Sequence, residues 1–117
     1  MKFLVLMAET DSFEKWDALS DADQQEHFAA FTRFSDAVKQ RGSVLAGEAL
    51  EAPGAARTVR PGNGTRTVTE GPFAETVEQL GGFWLVDLAD RDTAVELAML
   101  LPSTYSVEVR PIVDMDE

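Results

Sequence analysis

The chain has 117 residues, 44% of them hydrophobic, and contains no cysteine. That composition describes one globular domain spanning residues 1–117, able to bury a core without staples, and it excludes disulfides, thiolate catalysis and cysteine-ligated metal. Twenty-one acids against ten Lys and Arg give a formal net charge of −11, a surface that repels nucleic acid and anionic membranes.

In chain order, residues 2–8 (KFLVLMA) are apolar almost throughout and too few for a typical helix, so they read as a strand. Apolarity at every position predicts a central strand buried on both faces. Residues 9–19 read as an acidic connection with a short helical turn around residues 13–17, where Trp16 is expected to pack at the rim of the core. Ser20 is suited to cap a helix running to Arg41, with Asp23 near its positive end and Gly42 as the residue that stops it. At about 100° per residue, Phe28, Phe31, Phe34 and Val38 share one stripe, the expected core face, and His27 lies within it.

Residues 43–50 (SVLAGEAL) read as a second strand, with Gly47 marking a bulge or a close backbone approach. Residues 56–60 (ARTVR) and 65–69 (TRTVT), joined by PGNG, predict a mostly polar hairpin standing out as an exposed arm. The stretch EGPFAETVEQLGGF, residues 70–83, carries three glycines, a proline and three carboxylates. It reads as a shaped loop entering a strand over residues 82–89, and Thr76 with Gln79 has the spacing of one capped helical turn. Asp90 is suited to cap a helix over residues 91–101, with Ala94, Ala98 and Leu101 inward and Pro102 ending it. Residues 106–113 alternate as a last strand, and Pro111 predicts that its outer half lies at a sheet edge or past the ladder.

The order is β-α-β, a hairpin insertion, then β-α-β: an α+β, ferredoxin-like βαββαβ sheet with both helices on one face. Two helices cannot cover both faces of a sheet whose central strands are apolar throughout. The face left open predicts a homodimer formed sheet to sheet. No segment approaches the ~20 apolar residues of a membrane span, and residues 3–8 are too short for the apolar region of a signal peptide. The expectation is a soluble, cytoplasmic protein without membrane or nucleic-acid partners, and the lack of cysteine fits a reducing compartment.

The run GPFAETVEQLGGF, together with LAGEAL before it and VEVRP near the end, resembles the DGPF-type branch of the YCII-related proteins. The likeness covers nearly the whole chain. It implies ferredoxin-like subunits paired into a dimeric α/β barrel, biochemical activity that is largely unassigned, and a genomic association with extracytoplasmic-function sigma factors. Two positions depart from the motif: Glu70 stands where Asp is usual, and Val77 where Lys is usual. The histidine proposed for the YCII branch as half of a His-Asp pair falls on Phe31, so that pair does not carry over. His27, one turn earlier, is a possible substitute.

Glu70, at a strand end beside Phe73 and Phe83, is a candidate general acid or base, or else a carboxylate accepting backbone N–H bonds of the turn it precedes. Glu75 and Glu78 divide in the same way between chemistry and capping. Glu108 and Arg110 share one strand face; the guanidinium can receive a carboxylate or phosphate, or form a salt bridge across the sheet or a dimer interface. His27 on an apolar stripe is an assisting catalyst or a satisfied rim histidine. The candidate catalytic residues are thus Glu70 and His27, and the candidate ligand-binding residues Arg110, Glu108, Glu75 and Phe73. No metal-loop spacing, phosphate loop, dinucleotide fingerprint, haem attachment or nucleophile elbow occurs, so no metal or cofactor is expected. Two readings follow, with enzyme status left open by the residues: a small-molecule-binding protein with acid/base chemistry in a pocket near Glu70, or a non-catalytic dimeric regulatory or interaction module.

Overall fold

The structure, a computed structural model, describes residues 1–10, 12–74 and 77–115. Its elements are β1 (Lys2–Thr10), α1 (Ser12–Ala18), α2 (Asp21–Arg41), β2 (Ser43–Ala49), β3 (Arg57–Arg60), β4 (Thr67–Glu70), β5 (Glu78–Asp87), α3 (Arg91–Ala98) and β6 (Ser106–Pro111), with a 3-10 turn at Pro53–Ala55. Four strands form one antiparallel sheet in the order β2-β5-β1-β6. This is the ferredoxin-like arrangement, with β1 central and the Pro111-bearing β6 at an edge. Among the described residues strands β3 and β4 pair with each other alone, and exposed Val59 and Val68 show the hairpin to be an arm outside the core, as the sequence predicts.

Period-two alternation divides β1. Phe3, Val5 and Met7 are buried beneath the helices, whereas Leu4, Leu6 and Ala8 are only half-buried on the opposite face. The expectation of burial on both faces is therefore met on one side in a single subunit. The covered side meets Phe34 and Val38 of α2, Ala94 and Leu97 of α3, and Val86 and Leu88 from β5 and just beyond it. Leu101 also joins this core, but α3 ends at Ala98 rather than continuing to it. On the open side, strand register aligns Leu4 with Leu85 and Arg110, and Leu6 with Phe83 and Glu108.

Both long helices start as their caps dictate. Ser20 Oγ accepts the Asp23 N–H at 3.2 Å, and Asp90 Oδ1 accepts the Thr93 N–H at 2.8 Å. The Thr93 backbone bond, reinforced by the Thr93 side chain, holds the Asp90 carboxyl below its usual range. At the other end of α2, Gly42 is extended, not left-handed. Its glycine is required by proximity instead, since a Cβ there would collide with the Asp87 carbonyl.

Phe28 corrects the helix-face expectation: it is 57% exposed, because it lies at the margin of the stripe whose centre is Ala30, Phe34 and Val38. Strand β5 starts at Glu78, earlier than residue 82, since Glu78 and Gln79 already pair with Thr10 and Glu9 of an equally extended β1. The helical turn expected over residues 76–79 is thus replaced by strand at its second half, while Thr76 and Glu75 lie outside the described residues. Gly81 is skipped in the register between Met7 and Ala8, forming a bulge. The β2 bulge falls at Leu45, and Gly47 serves the close approach: a Cβ there would stand 2.6 Å from Trp84 Cε3. Gly47→Val should therefore displace the indole and cost about 1–3 kcal/mol of unfolding free energy. Urea denaturation followed by tryptophan fluorescence checks this, and an unchanged midpoint would show that the indole yields freely.

Candidate functional site

The sequence-predicted residues occupy three separate places. Glu70 ends β4 on the hairpin, opposite Arg57 in the register, and their side chains approach to 3.5 Å. Its carboxylate side chain is 84% exposed, at the surface of the hairpin and away from any apolar pocket among the described residues. Gly71 follows with φ +89°, its N–H donating to the Ala56 carbonyl at 2.8 Å, while Thr58 Oγ1 donates to the Gly71 carbonyl at 2.7 Å. These bonds fix the GPF turn and leave Glu70 no part in shaping it among the described contacts.

Phe73, Glu108 and Arg110 do come together. They border an open cleft of about 870 Å³ on the sheet face away from the helices, floored by Leu6 and Leu80. Arg110 Nη2 and Glu108 Oε2 form an ion pair at this cleft, the salt-bridge alternative of the sequence reading, with the Arg110 side chain 69% exposed. Glu75, the remaining candidate, lies outside the described residues.

His27 is on the other side of the sheet, in α2. Its Nδ1–H donates to the Asp23 carbonyl at 3.1 Å, since a carbonyl can only accept. The ring meets Trp16 edge-on at 5.6 Å, Tyr105 at 6.1 Å and Phe31 at 6.5 Å between centroids. Glu70 and His27 therefore do not share a cleft in the single subunit.

What His27 does share is a space that the residue pattern did not single out. A cleft of about 290 Å³ is bordered by Glu9, Lys15, Trp16, His27 and Tyr105. Glu9 is the last core-facing position of the Phe3, Val5, Met7 series, so the pleat carries a carboxylate into the covered face; its side chain is 7% exposed. An unpaired carboxylate at that depth would cost several kcal/mol, and Lys15 of α1 approaches it at 3.6 Å. Helix α1 thus closes over the end of β1 through Lys15 and Trp16, which gives the predicted rim tryptophan a definite partner set. Burial, and then the nearby Glu9 charge, push the Tyr105 phenol above its ordinary value.

Trp16 and Tyr105 also border a second cleft, of about 420 Å³, whose wall includes Phe28, Phe31, Trp84 and Met7. This space lies between the α1–α2 pair and the β2–β5 edge of the sheet. Its lining is mostly apolar and aromatic, with Glu48 the charged residue among those that border it, and Glu9 adjoins it across Trp16 and Tyr105. Such a combination suits a small ligand with an apolar body and one polar end. Among the described residues no group of three or more His, Asp or Glu side chains is arranged to hold a metal ion, and no helix is long and apolar enough to cross a membrane.

Sequence reasoning missed Glu9 by ending the first strand at Ala8. Extending the alternation by one more pair would have shown an acid on the core face. Tyr105 carried no such signal, being a loop residue that only the tertiary fold brings beside Glu9.

The profile of the YCII-related domain matches residues 1–116. An uncharacterized protein of Rhizobium meliloti (strain 1021) is 52% identical to the chain over 62 residues, covering 50% of each. The match thus spans about half the length of that curated relative.

Because the chain has a single tyrosine, tyrosinate absorbance reports Tyr105 alone. Its titration midpoint should lie above 10.0 in the folded protein and return towards 10.0 in urea. With the folded value raised, the associated stability is fully present below the unfolded value and is lost as pH rises through the folded one. Glu9→Gln should lower the folded midpoint by removing the neighbouring charge; a midpoint the same folded and unfolded would contradict this placement.

Proposed function

Because the chain belongs to the YCII-related domain family, we propose that it is a small-molecule-binding protein that works as a homodimer, with its ligand in the aromatic cleft on the helix side of the sheet. The observation carrying this reading is the 420 Å³ apolar cleft beside a buried carboxylate. Exposed Phe28 fits the same reading, since an aromatic ring left at a cleft mouth gains burial when a ligand arrives.

The open sheet face has a different use. Leu4, Leu6, Phe83 and Leu85 align across it, and a second copy is the partner we assign to it. The Glu108–Arg110 pair and Phe73 would then border the interface instead of a free ligand site. An acid/base role for Glu70 requires completion by that second copy, because in one subunit the carboxylate faces solvent and Arg57. The GPF turn supports membership of the DGPF-type branch, and the cysteine-free sequence supports a cytoplasmic location.

A thermal-shift screen of small metabolites tests the assignment when run on wild type, Phe28→Ala and Glu70→Gln in parallel. Loss of the Phe28 ring should weaken a bound ligand about tenfold, while Glu70→Gln should leave its shift unchanged. A shift that survives Phe28→Ala and disappears in Glu70→Gln would move the site to the hairpin. A screen in which nothing binds wild type would favour the non-catalytic interaction module.

A further inference from the structure

We infer that the ligand is an organic cation, whose ammonium takes the place of Lys15 beside Glu9 and whose apolar body packs against Trp16 and Tyr105. This deepens, and rests on, the assignment of a small ligand to the helix side of the sheet. Glu9 is deeply buried, on the covered face of a central strand. A carboxylate so placed needs a positive partner or its full desolvation cost remains. The partner it has is Lys15, whose side chain is 53% exposed and whose Nζ stands 3.6 Å from Glu9 Oε1.

Lys15 therefore acts as a tethered stand-in. It is a primary ammonium on a flexible aliphatic stem, held beside a carboxylate in a cleft that Trp16 and Tyr105 border. A free amine presents the same headgroup, and release of Lys15 back to water carries little penalty because the side chain is already half outside. The surroundings select for positive charge in two further ways. Trp16, Tyr105 and His27 border the same space, and tryptophan and tyrosine faces attract cations when water is excluded. The chain's −11 charge also draws cations and turns away anions at long range. The adjoining aromatic cleft, sharing Trp16 and Tyr105 as a wall, receives the rest of the molecule. Phenethylamine has the right elements: one ammonium, a two-carbon spacer and one ring.

The test compares phenethylamine with neutral 2-phenylethanol and anionic phenylacetate by calorimetric titration of the full chain at low salt. Wild type should bind the amine at least about tenfold more tightly than the alcohol, with the acid weakest. Lys15→Met, which keeps an unbranched apolar stem but removes the competing cation, should lower the melting temperature and recover it when the amine is added, with affinity above wild type. Glu9→Gln should erase the preference for amine over alcohol. Should Glu9→Gln fail to fold, the Lys15→Met comparison decides by itself. Equal binding of amine and alcohol in wild type and Lys15→Met would overturn the cation assignment while leaving an apolar ligand site intact. Absence of binding by all three compounds in both proteins would overturn the cation assignment together with the helix-side site it rests on.

Discussion

Strand β1 must bury apolar side chains on two faces, and the placement of the other elements follows from that need. It runs through the centre of the sheet between β5 and β6, apolar on both faces, in a chain that supplies helices for only one. Covering Phe3, Val5 and Met7 fixes where α2 and α3 must lie. Leaving Leu4, Leu6 and Ala8 half-buried creates a second surface that the chain alone does not cover. Apolar surface aligned over neighbouring strands in this way is worth roughly 25 cal/mol for each Å² removed from water, which is the physical basis for proposing that a second copy covers it.

The same strand carries the chemistry. Its covered-face register continues past Met7 to Glu9, so the pleat that builds the core also plants a carboxylate at the core's end. Its surroundings gather at that charge: α1 folds back to bring Lys15, Trp16 joins the wall, and the Tyr105 phenol, pushed up first by its own burial, is pushed further by Glu9. The hairpin and GPF turn, by contrast, are self-contained. Gly71 bonds to Ala56 and Thr58, Arg60 donates to Thr69 and to the Phe73 carbonyl, and the exposed Glu70 side chain meets Arg57 among its described contacts.

Much of the fold was legible because its signals are local. The unbroken apolar run marked β1, Ser20 and Asp90 marked the helix starts, and Pro111 marked the edge strand. The errors have physical causes too. Helical periodicity places Phe28 on the core side, but it says which way a residue faces and not how far the partner surface extends, and Phe28 lies beyond that surface. Gly42 was read as a terminator by conformation, whereas the Asp87 carbonyl beside it excludes a side chain. The candidate site was less legible than the fold. His27, Phe73, Glu108 and Arg110 were noticed by residue type, but the side of the sheet each occupies depends on strand register. Glu9 and Tyr105 meet only through the folding of α1 and the turn before β6.

The central claim is that the two sheet faces divide the work, one for a second copy and one for a ligand. Sedimentation velocity at micromolar concentration, on wild type and on Leu85→Lys, tests it most directly. Leu85 aligns with Leu4 and Ala46 on the open face, away from the helix-side core. The account predicts a dimer for wild type and a folded monomer for Leu85→Lys. A wild-type monomer, or a dimer undisturbed by a charge at that position, would contradict it.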